Sequence, residues 1–210
     1  MKDHARGIVK MPDEVVEEVE EKLSRYLSDG GWELYDGVET AQDSKLTVGD
    51  IVLSVTLNSR LNTRRQVWQV WKGKLPVEKA LACIPVDASL EDAVIPWEEL
   101  RNLFQAMCAI EDVAGAKATK ILHKKRPYLI PIYDSILEGY CRKHIPRWSS
   151  LSWADGLIEY MKVFRADLLV NRNELHVLCD MMAARGWPIT PVRAMEVSIW
   201  IEDEPNGEYR

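Results

Sequence analysis

Asp134 is the residue around which chemistry could be built. It stands at the far edge of a window, residues 113–133, that holds no acidic side chain but carries Lys117, Lys120, Lys124, Lys125 and Arg126. A chain of formal net charge −6 has therefore gathered positive charge beside one carboxylate. A carboxylate so placed can orient a water and balance a cation that develops next to it, while the amines suit phosphate. It can equally be a helix N-cap, since an aspartate that opens a helix accepts from the first-turn amides. A second window, residues 51–77, is also free of acidic residues and holds Arg60, Arg64, Arg65, Lys72 and Lys74. The two windows carry +10 together, which leaves −16 for the rest of the chain and favours one positively charged face over general stickiness. Trp68 and Trp71 lie three apart in the second window, so a helix would put them on one face. Guanidinium groups interleaved with indoles suit a nucleic-acid strand, through phosphate contact and base stacking. The same spacing also fits a helix that buries two tryptophans under a solvated basic rim.

The elements that must hold these residues read as helices. Residues 109–140 read as two short helices joined by a tight turn. An extended apolar run, 129–132, follows the helix-breaking Pro127, and Asp134 then opens a third helix. Upstream, a helix is expected to start near Pro96, with Trp97, Leu100, Phe104, Met107 and Ile110 as its core stripe. Residues 12–28 carry an apolar stripe of Val15, Val16, Val19, Leu23, Tyr26 and Leu27, and Gly30–Gly31 ends it. Trp32 and Tyr35 fall in a turn-rich stretch, either as a lid on the core or as part of an aromatic pocket. Thr47 can cap a helix running to about Asn58, with Val48, Ile51, Val52 and Val55 facing inward. A separate short helix is expected over 77–84, and residues 89–92 look like a capping box. Ser152 with Asp155 resembles another, opening a stripe of Leu157, Met161, Phe164 and Leu168. Asn171 and Asn173 interrupt it, Gly186 and Pro188 stop the next helix, and Thr190–Pro191 starts the last. No strand alternation of useful length is present, so the expected fold class is all-α.

The stretch 109–140 resembles the core of the helix-hairpin-helix DNA glycosylases. That family carries a hairpin of the form L-P-G-V-G-x-x-T-A, with its catalytic aspartate at the start of a later helix. Laid on without gaps, Ile110 takes the leucine position, Val113 the central apolar one, and Asp112 and Ala114 the two glycines. Lys117 takes the threonine and Ala118 the alanine. The position of the Schiff-base lysine of bifunctional members falls on Ala116, and the family aspartate, eighteen residues further on, on Asp134. Both glycines and the threonine are replaced, though Gly115 could supply a positive φ after a small shift. The chain is also similar to an uncharacterised bacterial family with the pattern A-S-K-L-L-x-R-K-R-P-x-L-I-P-x-Y-D-S, which matches residues 118–135. That family has segments like PVRAMEVSIW (191–200) and LTVGDIVLSVTL (46–57) as well.

The first resemblance implies a two-lobed helical fold, one helical domain over 1–210 or two lobes, with the hairpin at about 97–141. It implies a monofunctional DNA N-glycosylase that flips a damaged or modified base and hydrolyses its glycosidic bond. A hypermodified phage pyrimidine is one such base, which would make this a defence enzyme. Asp134 would be catalytic. Val113, Gly115, Ala116, Lys117, Lys120, Lys124, Lys125, Arg64 and Arg65 would meet DNA. Trp32, Tyr35, Trp68, Trp71, Tyr133 and Ser135 would form the base pocket. A non-catalytic DNA-binding relative and a helical protein-interaction module remain open as alternatives.

Composition narrows the setting. With 47% apolar and 29% charged residues over 210 positions, the chain has enough material for a sizeable core. No run of about 18 apolar residues exists and the N-terminus lacks an apolar signal core, so a cytoplasmic protein without membrane contact is expected. Cys83, Cys108, Cys141 and Cys179 are widely spaced and read as reduced core thiols. Some helix-hairpin-helix glycosylases hold an iron–sulfur cluster on four close cysteines, and this chain has no such loop. His4, His123, His144 and His176 lack metal-site spacing. No cofactor and no metal are therefore expected, with double-stranded DNA as the partner of a monomer.

Overall fold

The computed structural model describes residues 26–27, 30 and 32–202, the last three as helix backbone only. The described residues are all-α, with no strand among them. Most of the amphipathic stripe expected over 12–28 lies outside them. Tyr26 and Leu27 are helical, and Tyr26 is buried.

A π-helical turn, Trp32–Asp36, leads to α1, Val48–Leu53, which tightens into a 3-10 turn over Ser54–Leu57. Thr47 caps α1 in a full capping box with Asp50. Only part of the expected inward face is buried: Ile51 is, but Val48, Val52 and Val55 are exposed. The tight turn points Ser54, rather than Val55, into the protein, and α1 lies on the surface.

Helix α2 spans Arg64–Leu81, capped by Thr63 with Gln66. It runs unbroken through Pro76, where a new helix was expected. A proline inside a helix costs about 3 kcal/mol, yet Val70, Val77 and Leu81 form one fully buried stripe across it. Burying side chains of that kind returns about 1.5–3 kcal/mol each. Residues 89–92 make only half of a capping box: Ser89 N–H donates to the Asp92 carboxylate, but Ser89 Oγ accepts from Glu91 N–H rather than from Asp92, and a turn follows instead of a helix.

Helix α3, Trp97–Cys108, buries Leu100, Leu103, Phe104 and Met107 completely. It is followed by α4, Gly115–Leu122, and a 3-10 turn, His123–Lys125. Then come α5, Ser135–Arg142, and α6, Trp153–Val170, with Ser152 capping α6 through Asp155. Helix α7, Arg172–Ala184, is separated from α6 by Asn171, and Gly186 (φ 86) stops it. Thr190 Oγ1 accepts from Arg193 N–H at the head of α8, Pro191–Glu202. Helix α3 packs between α2 and α6, while α8 packs on α5, α6 and α7. All the buried apolar residues but Tyr35 and Ile132, from Tyr26 to Ile199, form one continuous cluster. Of the cysteines, Cys141 is buried, Cys108 and Cys179 are half-buried, and Cys83 is exposed rather than core. No described helix is long and apolar enough to cross a membrane.

Candidate active site and nucleic-acid interface

The hairpin joins α3 to α4 through residues 109–114. Asp112 holds the left-handed conformation there, φ 63, so the first glycine position of the resemblance keeps its backbone demand without its glycine. Gly115 does not supply that angle. Its role is close approach: a Cβ on it would stand 2.9 Å from the Trp153 ring. Val113 is buried and anchors the turn, and Lys117 Nζ donates to Asp112 O at 2.8 Å. No side chain caps the N-terminus of α4.

Asp134 is half-buried at the N-cap of α5. Its Oδ1 accepts from the amides of Ile136 and Leu137, both at 3.0 Å. Its Oδ2 has no hydrogen-bond partner among the described residues. Lys120, one helical turn beyond Ala116, is buried; burial lowers the pKa of its ammonium and the Asp134 charge opposes that shift. Lys120 Nζ donates to Leu57 O at 2.6 Å.

The extended run 130–133 that delivers Asp134 has no neighbouring strand, so its buried backbone groups need side-chain partners. They find four. His123 Nδ1 bonds Ile130 O at 2.7 Å, and Tyr160 hydroxyl donates to Ile132 O at 2.7 Å. Ile132 N–H donates to the Glu196 carboxylate, and Tyr133 N–H donates to Thr119 Oγ1 at 2.9 Å. The Tyr133 ring stacks on Trp148 at 5.8 Å and meets Trp153 and Tyr160 edge-on. Its hydroxyl is buried without a hydrogen bond; burial, and the Glu138 carboxylate close by but outside bonding geometry, raise its pKa.

Behind this run lies a buried ionic cluster. Arg193 Nε donates to both Asp36 oxygens, at 3.1 and 3.0 Å, Nη1 to Glu196 at 2.9 Å and Nη2 to the Tyr26 hydroxyl at 2.8 Å. The Tyr26 hydroxyl donates to Asp36. Burial pushes the Glu196 carboxyl up to about 8, against the pull of Arg193 and the Ile132 amide. Sequence reading missed Arg193 and Glu196. Their signal was present: two charges three apart on a helix, with apolar Val192, Ala194, Met195 and Val197 beside them.

His123 sits fully buried against the same cluster, and burial lowers its pKa to about 4 from an ordinary 6.5. The unfolded chain therefore binds a proton between those values that the folded one refuses. Its contribution to stability is whole above pH 6.5 and is lost as pH falls toward 4. Urea unfolding of the wild type and His123→Gln at several pH values should show a shallower acid limb in the variant; parallel limbs would mean the imidazole titrates freely in the fold.

The expected DNA-contacting amines divide sharply. Lys125 is fully buried on Asp50 (2.9 Å), Asp43 and Ala41 O, and Lys120 is buried too. Lys124 is half-buried with Nζ on Asp36 O at 3.0 Å. These three serve the interior, because their chain segment is packed beneath α1 and the π-turn, and the expectation that Lys120 and Lys125 offer charge at the hairpin surface is corrected accordingly. Arg64, Arg65 and Lys72 are exposed on α2, as is Trp68, 58% accessible. This face adjoins the hairpin: Glu111 accepts from Gln69 Nε2 at 2.6 Å and pairs with Arg65 at 3.7 Å, and Ile110 packs on Gly73.

The six residues expected as a base pocket are not one cluster. Tyr35 is core, its hydroxyl on Lys120 O. Trp32 is half-buried with its indole N–H on Pro188 O. Trp71 packs on the core beneath Lys74 Nζ, 3.6 Å from its ring, whereas Trp68 stands in solvent, so the two do not share an environment. Tyr133 and the exposed Ser135 flank Asp134. The aromatic rings around Tyr133 are instead Trp148, Trp153 and Tyr160. Among the described residues no three of His, Cys, Asp or Glu are grouped to hold a metal ion.

A helical protein whose hairpin precedes an N-capping aspartate is what this geometry defines. Residues 16–203 match the model of the Family of unknown function (DUF6308), and the chain belongs to that family. No curated protein and no solved structure matches it.

Proposed function

We propose that the protein binds double-stranded DNA through the hairpin and the exposed face of α2, and hydrolyses the N-glycosidic bond of a flipped base at Asp134. One observation carries this reading: one oxygen of Asp134 is fixed by two amides while the other is left without a partner. The carboxylate is thereby oriented and still free to act. In the reaction a water held by Oδ2 adds to the sugar C1′ as the bond to the base nitrogen breaks. The carboxylate balances the oxocarbenium-like charge, and the water's proton leaves with the base. Ala116 offers no amine, and Lys120 Nζ is held by Leu57 O, which favours water over lysine as the nucleophile. The left-handed Asp112 supports the hairpin register on which the assignment rests.

Phosphate contact falls to Arg64, Arg65, Lys72 and Lys117, with Trp68 exposed to stack on the strand. Glu111 competes for Arg65. Removing its charge in Glu111→Gln should tighten DNA binding several-fold and steepen its salt dependence, measured by fluorescence anisotropy; weaker or unchanged binding would take Arg65 out of the interface.

A second reading is a DNA-binding protein without catalysis. It is favoured by the same two bonds to Oδ1, which are what a purely structural N-cap makes. Incubation with DNAs of different base content, followed by mass spectrometry of released bases, separates the two. Release of a base with an intact abasic strand is the expected result, and no release from any DNA would leave the second reading.

A further inference from the structure

The solvent side of α1 is apolar. Val48, Val52 and Val55, at steps of four and three residues, are 48%, 48% and 38% exposed. Beside them runs an open groove of about 490 Å³, walled by Val52, Leu53 and Thr56 and by Val38, Thr40 and Ala41. Single exposed apolar residues are ordinary, but a row of three along an apolar groove marks a docking surface.

The chain holds a second apolar row to match it. On a helix the row Val15, Val16, Val19, Leu23, Tyr26 and Leu27 occupies about one third of the circumference, opposite the six carboxylates between Asp13 and Glu21. Its last two members fix its phase: Tyr26 and Leu27 are helical, Tyr26 is buried and Leu27 packs on the core. A helix continued from them toward the N-terminus would turn Leu23, Val19 and Val15 to the protein as well.

The anchor of that row lies near the groove. The Tyr26 hydroxyl bonds Asp36, the last residue of the π-helical turn, and that turn packs on the 3-10 turn at the end of α1. Val38, two residues past Asp36, is already a wall of the groove. The two rows agree in length, about 12 Å of helix from Val15 to Leu23 and about 10 Å from Val48 to Val55. The family domain starts at residue 16 and so takes in most of the row.

We propose that residues 15–23 form a helix lying along α1 in this groove, with Val15 toward Val48, Val19 on Val52, Leu23 toward Val55 and the acidic face turned to solvent. The occupant is this chain's own segment, and its docking is independent of what Asp134 does.

Val52→Ala separates a covered valine from an exposed one by the sign of its effect. Alanine is the better helix former, so on a solvent-facing helix the melting temperature would hold or rise. Under a docked helix the lost methyl groups outweigh that gain, and the full chain carrying Val52→Ala should melt about 2–4 °C lower by calorimetry. Val19→Ala should give a drop of similar size, and the double variant should fall short of the sum, because both changes remove one contact. A midpoint that holds or rises in either single variant overturns the docking, as do two drops that add in full. In the wild type the midpoint should not depend on protein concentration, and sedimentation should show a monomer. A dimer that Val52→Ala dissociates would seat a second copy on α1 and overturn the assignment equally.

Discussion

Asp134→Asn is expected to fold, to bind DNA with unchanged affinity, and to lose base release by roughly two to three orders of magnitude. Asparagine caps helices about as well as aspartate, so the bonds to Ile136 and Leu137 survive. What disappears is the negative charge on the partnerless oxygen. Single-turnover release of the base, beside a thermal melt of the same preparation, measures both halves of the expectation. Borohydride should trap no protein–DNA adduct with the wild type. Trapping that vanishes in Lys120→Arg would transfer the chemistry to the Lys120 amine, and full excision by Asp134→Asn would reduce that residue to a cap.

Arg193→Met is expected to have the largest effect on stability. Arginine 193 is the common partner of Asp36, Glu196 and Tyr26, and all of this is buried. Removing it strands two carboxyl groups in the interior, and breaking a buried pair in this way costs about 3–5 kcal/mol. For a chain of this length each kcal/mol moves the melting temperature by about 2–4 °C. A fall on the order of 10 °C should be seen by calorimetry. Glu196→Gln should cost less, since its amide oxygen still accepts from one of Arg193 and Ile132, and Arg193 keeps Asp36 and the Tyr26 hydroxyl. A drop under 2 °C in Arg193→Met would show that the cluster is worth little net.

The helices were legible where apolar spacing and caps agreed. Thr47, Ser152 and Asp134 each cap as their local sequence implies, and of the stripe on α3 Leu100, Phe104 and Met107 are buried, with Trp97 and Ile110 partly so. The positive φ suggested for Gly115 is instead held by Asp112, three residues earlier. What failed to show was the direction of charge. Lys120, Lys125 and Arg126 look like surface cations in a list of residues, but they are buried because carbonyls and acids distant in sequence meet them: Leu57, Asp50 and Ile84. Val48, Val52 and Val55 mislead in the opposite sense, since an apolar residue on a short surface helix signals no partner by itself. The ionic cluster escaped because its members, Asp36, His123, Arg193 and Glu196, come together only in three dimensions.

The wiring of residues 130–133 has a consequence for how finely Asp134 is located. A strand in a sheet is held by a periodic ladder, and a slip of two residues re-forms most of its bonds with the same face inward. The segment here is held by an imidazole, two hydroxyls and a carboxylate, each different in reach and none repeated. Displaced by two residues, so that Pro131 took the place of Tyr133, it would set a residue without an N–H opposite Thr119 Oγ1. The ladder of a sheet has many nearly equivalent settings; this aperiodic lock has fewer, and the one it takes delivers Asp134 to the N-cap of α5.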